Sequence, residues 1–238
     1  MNIVITGASK GIGQAIAEIF AKDTDSQHNF GLCSRNINEL MHAEANLGRD
    51  YPLHKYYSRA VDVRDEVSVK NFIAEYEKEY GAIDVLVNNA GLGLFGPLHE
   101  FSEEDLRYVM DVNVRGVFLA TQAALPKMRE KKQGTVITIS SVSGKIGFKG
   151  GAAYSGSKFA VRGMMQSLFL EVRDENIRVV TIYPGSVDTP FFDNVTLSST
   201  SNPAKWLRSW QVAETVKLAV SLPISATISE LEIRPTNV

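Results

Sequence analysis

Apolar residues fall along this chain in two alternating rhythms. Short apolar runs recur at NIVIT (2–6), FGLCS (30–34), YYSRAVD (56–62), DVLVN (84–88), TVITIS (135–140), RVVTIY (178–183) and ISELEI (228–233). The segments between them carry the i, i+3, i+4 spacing of helices with one apolar stripe. Ile12, Ile16, Ile19 and Phe20 form one such stripe, and Val69, Phe72, Ile73 and Tyr76 another. Several runs are apolar nearly throughout, as strands covered on both faces should be. The alternation predicts an α/β architecture in a single domain spanning 1–238: a doubly wound parallel sheet of about seven strands with helices on both faces.

No linker rich in Gly, Ser and Pro divides the chain, and no repeat or low-complexity tract is present. One irregular stretch, PFFDNVTLSSTSNP at 190–203, follows a strand and mixes aromatic with small polar residues. It is long for a connection between a strand and a helix. It is therefore read as a substrate lid reaching to about residue 210.

Composition acts mainly by exclusion. Of 238 residues, 44% are hydrophobic and 22% charged, which suits an ordinary globular chain. A net charge of −2 counts against extended nucleic-acid binding, which needs a basic surface. Cys33 is the only cysteine, so no internal disulfide is possible, and its place in FGLCS reads as a buried strand position. The apolar run from Ile3 has no basic leader and is too short for the apolar region of a signal peptide. With no long uncharged apolar stretch to span a membrane, a cytoplasmic location is expected.

The chemistry begins at ITGASKGIG, where the first strand runs into the first helix. Gly7, Gly11 and Gly13 suit a tight turn, close approach to a pyrophosphate and close helix–strand packing, and the free N–H groups at the helix start bind the anion. Ser9, Lys10 and Ile12 complete that candidate phosphate loop. The second strand ends Ser34–Arg35 where an NAD-selective site would carry a carboxylate. Two cations and a hydroxyl favour a 2′-phosphate, hence NADP(H) over NAD(H). The plainer alternative leaves Lys10 and Arg35 as surface cations.

GGAAYSGSKFAV (150–161) sets Tyr154 and Lys158 four residues apart, which on a helix stacks a phenol and an ammonium on one face. A nearby cation stabilises phenolate and is expected to bring a phenol pKa of about 10 toward the working range. Together, TGASKGIG, NNAG, DVNVRG, ISS and YSGSK, in this order and spacing, resemble the short-chain dehydrogenase/reductase family over nearly the whole chain. The resemblance implies a Rossmann-type fold and a set of roles. Tyr154 is the general acid, and Lys158 tunes it and holds the nicotinamide ribose. Ser141, rather than its neighbour Ser140, binds the substrate carbonyl, and Asn113 orders a water that leads from Lys158 to solvent. Asp62 and Val63 would contact adenine, while Asn89, Ala90 and Gly91 would line the cleft, Asn89 being equally able to tie neighbouring strands together. Pro184 and Gly185 would shape a turn, Val187 would offer backbone groups to the nicotinamide amide, and Thr189 would cap the phosphate side.

For the substrate pocket the candidates are Leu92, Leu94, Phe95, Phe148, Tyr183, Phe191, Phe192, Trp206 and Trp210, an aromatic set suited to a planar or apolar carbonyl compound. Within the family, NNAGLGLFGPLHEFSEEDL, KDTDSQHNF and LEIRPTNV are similar to bacterial sepiapterin reductases. The alternatives are a 3-oxoacyl-carrier-protein reductase, another alcohol dehydrogenase of the family, or an NADPH-sensing regulator without catalysis. The resemblance also implies a homodimer or homotetramer built on the helix 102–130 and the helix bearing Tyr154. No metal, nucleic acid or membrane partner is expected.

Overall fold

The computed structural model describes residues 1–192 and 202–236. Seven parallel strands make one sheet: β1 (Asn2–Thr6), β2 (Asn29–Ser34), β3 (Lys55–Ala60), β4 (Val85–Asn88), β5 (Gly134–Ile139), β6 (Ile177–Pro184) and β9 (Glu230–Ile233). Their order is β3-β2-β1-β4-β5-β6-β9. Each run singled out in the sequence becomes a strand, with ends shifted by a residue or two. The chain leaves β1 in one direction for β2 and β3, then returns to start β4 on the other side of β1. That reversal opens a crevice beyond the carboxyl ends of β1 and β4.

Alternate residues of each strand serve opposite layers, as the two-residue strand period requires. On one face Ile3 and Ile5 join Leu32, Val87, Ile137 and Val180 under α1 (Gly11–Ala21), α2 (Ile37–Asp50) and α7 (Ser209–Ser221). On the other, Val4 joins Leu86, Val136 and Val179 under α3 (Glu66–Tyr80), α5 (Gly116–Lys131) and α6 (Ala152–Val172). Burying one such aliphatic side chain contributes about 1.5–3 kcal/mol, so the two layers fix the strand ends that carry the site.

Helix starts are set by short polar caps. Asn36 Oδ1 accepts from the amides of Asn38 and Glu39, Asp65 caps α3, and Ser102 caps α4 (Glu103–Met110). The helix expected over 102–130 is interrupted: α4 and α5 are joined by one wide turn of π-helix, Asp111–Arg115. The stretch read as a lid to residue 210 is also partly regular. Val187–Asp188 (β7) pairs with Leu207–Arg208 (β8), and α7 starts at Ser209. Residues 193–201 of that stretch lie outside the described residues. No helix among the described residues is long and apolar enough to cross a membrane.

Candidate active site

The crevice is built around three glycines. Gly7 and Gly11 have φ of +67° and +61°, a region open to glycine at little cost. A methyl group on Gly13 would stand 2.2 Å from the Gly7 carbonyl oxygen, and one on Gly7 would stand 2.9 Å from Ala90 Cα. The turn thus brings bare backbone against NNAG and into the start of α1. That helix has no acidic residue in its first turn and no side-chain cap from Lys10. Amides exposed at the positive end of a helix dipole suit a pyrophosphate, so the donor set fits a dinucleotide. Ile12 turns its side chain onto the core, leaving only its backbone for a ligand.

The residues expected at the adenosine end are already wired internally. Lys10 Nζ lies 3.4 Å from Glu39 Oε1, and Ser9 Oγ donates to Glu39 Oε2 at 3.5 Å. Arg35 donates to the Tyr108 hydroxyl, while Ser34 Oγ, nearly buried, donates to the Asn36 carbonyl at 3.0 Å. Asp62 does not offer a free carboxylate: Arg64 grips both its oxygens at 2.6–3.0 Å and holds its carboxyl below the usual range. Arg64 in turn lies 4.8 Å above the Tyr108 ring. Val63 is buried against Gly116, where an added methyl would meet its Cγ2 at 2.8 Å. Glu39, Arg64 and Tyr108 were not among the sequence candidates. For Glu39 a signal existed, because Asn36 followed three residues later by an acid marks a helix N-terminus.

Two asparagines brace the crevice. Asn89 Nδ2 donates to the carbonyls of Thr6 (3.1 Å) and Gly7 (2.9 Å), and Thr6 Oγ1 accepts from the amides of Asn89 and Ala90. Asn89 therefore ties β1 to β4, the second of its two sequence readings. Asn113, in the π-turn, accepts from the Leu92 amide and donates to the Leu92 carbonyl, both at 2.9 Å, and donates to Ser157 Oγ at 3.0 Å. Its amide group is fully engaged in holding the segment after Gly91. A methyl on Gly91 would stand 3.6 Å from Lys158 Nζ, which puts the end of NNAG against that ammonium.

Helix α6 delivers Tyr154 and Lys158 to one face, with Lys158 Nζ 5.7 Å from the centre of the tyrosine ring. Lys158 is buried and donates to the Ile139 carbonyl at 3.2 Å. Burial pulls its pKa down to about 8. The phenol does not follow the sequence expectation. Burial pushes Tyr154 up to about 12, opposed by a hydrogen bond with Ser141 and not by the lysine. The reason is desolvation, which penalises phenolate and ammonium together in the same dry site. Ser141 caps the short turn Val142–Gly144 by accepting from the Ser143 amide at 3.1 Å. Ser140 instead buries its hydroxyl, and its amide donates to the Ile182 carbonyl, so only Ser141 faces Tyr154.

Aromatic rings enclose the phenol. Phe95 meets the Tyr154 ring edge-on at 5.4 Å between centroids, Phe191 lies 5.8 Å away, and Phe148 packs on Phe95 at 5.7 Å. A backbone hydrogen bond of 2.8 Å from Gly96 to Gly150 pins the two loops that carry these rings. Leu92 and Leu94 are half-buried beside them in the chain. Tyr183 is no pocket wall: it is fully buried and its hydroxyl donates to Glu230 at 3.0 Å. Trp210 is exposed on α7, Trp206 is half-buried just before β8, and the Phe192 side chain lies outside the described residues. Just after β6, the Gly185 amide donates to the Ile233 carbonyl at 2.8 Å, which ties the turn after the buried Pro184 to β9. Val187 is buried in the β7–β8 pair, and Thr189 sets its methyl 3.4 Å from where a Gly11 side chain would begin. Among the described residues no group of three His, Cys, Asp or Glu could hold a metal ion.

Residues 1–199 match the sequence profile described as short chain dehydrogenase. Among curated proteins, the sepiapterin reductase of Chlorobaculum tepidum is 33% identical over 239 residues, covering 99% of this chain and 96% of the relative. Among solved structures, an alcohol dehydrogenase from the archaeon Thermococcus sibiricus, complexed with 5-hydroxy-NADP, superposes with a TM-score of 0.89 at 30% identity, covering 99% and 96% of the two chains. The closed form of a serine dehydrogenase complexed with NADP+ does so with a TM-score of 0.85 at 28% identity, covering 100% and 96%.

Proposed function

This chain belongs to the short-chain dehydrogenase family, an oxidoreductase family acting on CH–OH and C=O groups, and on that footing we propose that it is an NADPH-dependent carbonyl reductase with Tyr154 as the general acid. The observation that carries the reading is the convergence of Ser141, Tyr154 and Lys158 at the mouth of the glycine-lined crevice. NADP(H) is favoured over NAD(H) by Lys10 and Arg35 at the adenosine end, and by the NADP-bound relatives. When bound, the nicotinamide supplies the hydride.

Every other part of the reaction belongs to this chain's residues. The amides at the start of α1 hold the pyrophosphate, with the close approach that Gly7, Gly11 and Gly13 permit. Ser141 donates a hydrogen bond to the carbonyl oxygen. A phenol held near 12 keeps its proton at neutral pH, which suits a donor in the direction of reduction. As negative charge develops on the carbonyl oxygen, Tyr154 gives up that proton, and the Lys158 ammonium stabilises the phenolate that remains. Asn113 acts by fixing Leu92 and Ser157 around Lys158.

The substrate proposed is a planar carbonyl compound, with the side-chain ketone of a pterin as first choice. Support comes from the wall of Phe95, Phe148 and Phe191 and from the sepiapterin reductase relative. Assembly as a homodimer or homotetramer is proposed through α4–α5 and α6, which expose Phe118, Phe159 and Leu170. Light scattering tests it, and a monomer at micromolar concentration would reject it.

The test of function is NADPH consumption by pure protein on sepiapterin, diketones, aromatic aldehydes and acetoacetyl thioesters. Tyr154→Phe should lower turnover about 10²- to 10⁴-fold with NADPH binding unchanged. Full turnover by that variant would end the proposal.

A further inference from the structure

We infer that Glu39 sets how strongly this chain prefers a 2′-phosphorylated dinucleotide, by competing with that phosphate for Lys10 and Ser9. The inference rests on the NADP(H) reading above and adds a residue to it. Glu39 occupies the first turn of α2, just after the Asn36 cap. From there its carboxylate reaches back to the glycine turn, 3.4 Å from Lys10 Nζ and accepting from Ser9 Oγ at 3.5 Å.

In a doubly wound fold the adenosine ribose binds between the glycine turn and the end of the second strand. Glu39, five residues past the end of β2, reaches across to the glycine turn, so a phosphate on the 2′ position and the Glu39 carboxylate meet the same cation. The other cations at this end have different partners. Arg35 donates to the Tyr108 hydroxyl and helps to hold the Asp62 carboxyl below its usual range, and Arg64 grips Asp62 directly. Lys10 is the member of this group whose charge is offset by a carboxylate that binding must displace.

A bare ribose hydroxyl places no such demand. It is able to donate to Glu39 and leave the Lys10 pair intact, so Glu39 tolerates an unphosphorylated dinucleotide while resisting a phosphorylated one. Lys10 and Glu39 are 55% and 41% exposed, so water and salt screen the repulsion. The expected role is a graded brake on affinity and not an absolute selector.

The experiment is titration calorimetry of the full chain and of Glu39→Gln with NADPH and with NADH, at low and high salt. The glutamine variant should bind NADPH about five- to tenfold tighter at low salt, a gain that shrinks at high salt. Its affinity for NADH should change by less than about twofold, which also shows that the variant is folded. An unchanged or weaker NADPH affinity overturns the inference, because Glu39 would then be inert or an anchor for Lys10. An equal gain for both dinucleotides overturns it too. Wild-type chain that binds NADPH no tighter than NADH, with the variant still gaining selectively, would reject the NADP(H) preference and leave the role of Glu39 standing.

Discussion

Asn113 and Leu92 exchange two hydrogen bonds of 2.9 Å, the asparagine amide group reading the Leu92 peptide from both ends. The pairing is possible because the π-turn Asp111–Arg115 displaces Asn113 from the regular helical path toward the end of β4. Through Ser157 the same side chain reaches α6, so one residue registers three elements around Lys158.

Removing that amide leaves the half-buried Leu92 peptide groups and the buried Ser157 hydroxyl without that partner. Asn113→Ala should cost about 2–4 kcal/mol, since unsatisfied buried polar groups each cost about 1–3 kcal/mol. The melting temperature should fall by roughly 2–4 °C per kcal/mol for a chain of this size. Calorimetry checks the loss, and a variant as stable as wild type would show that Leu92 finds other partners.

Lys158 should be held at a cost to the fold. Its pKa in the folded chain, about 8, lies below the usual 10.5, so burial of the ammonium destabilises the native state. Between those values the unfolded chain binds more protons than the native one, and this group's contribution to stability rises with pH across that window. Below about pH 8 the penalty is fully expressed. Lys158→Met should therefore raise stability at pH 7 by on the order of 3 kcal/mol and abolish turnover, with the gain shrinking toward pH 10. Denaturant melts of both proteins at the two pH values decide this. A destabilised variant at pH 7 would mean that the hydrogen bond to Ile139 outweighs the buried charge.

His28 supplies a second pH signature, away from the site. It is buried, stacked on His54 at 5.2 Å, with Nε2 3.0 Å from Asp23 and Nδ1 3.2 Å from the Met1 ammonium. A neutral ring satisfies both neighbours, donating to the carboxylate and accepting from the ammonium. Burial, helped by the positive Met1 amine, holds its pKa below 6.5 despite Asp23. The unfolded chain thus takes up a proton first as pH falls, and stability present above pH 6.5 is lost as pH drops through the folded pKa. Melting temperatures from pH 7.5 to 5 should decline for wild type and decline less for His28→Gln. Parallel curves would place the acid sensitivity elsewhere.

The two layers were legible in the sequence because they follow from apolar period, as the alternation of Ile3, Val4 and Ile5 between two cores illustrates; the order of the strands was not, since period says nothing of which strands pair. Tyr154 and Lys158 were legible because helical spacing puts them on one face. Their titration was not, because desolvation depends on Phe95 and Phe191, which arrive from distant loops. Tyr183 misled for a related reason: an aromatic at a strand end reads as a wall, and only the position of Glu230 reveals it as buried and bonded. The break between α4 and α5 was not legible because Asp111–Arg115 holds no Pro or Gly to announce it.

The aromatic enclosure of Tyr154 gives the sharpest test of substrate shape. Gly93 sits where an added methyl would stand 2.5 Å from the Phe95 ring edge and 2.7 Å from that of Phe191. Its φ is outside the left-handed region, so alanine is allowed by the backbone, and what must give way is the far end of two rings. Gly93→Ala should therefore fold with a loss of no more than about 1–3 kcal/mol, the range for inserting one carbon into a packed site. The rings, however, can no longer meet the phenol as they do now. Planar substrates that depend on the Phe95–Phe191 wall should lose about tenfold in kcat/KM, equivalent to about 1.4 kcal/mol of transition-state binding. Small aliphatic carbonyls, which make little use of that wall, should lose much less. NADPH affinity should not change, because Gly93 lies beyond Asn89, Ala90 and Gly91, the residues proposed to line the dinucleotide. Equal losses for planar and aliphatic substrates would mean that the substitution disturbs Tyr154 itself, and that Phe95 and Phe191 serve to keep the acid dry and not to select the ring it acts beside.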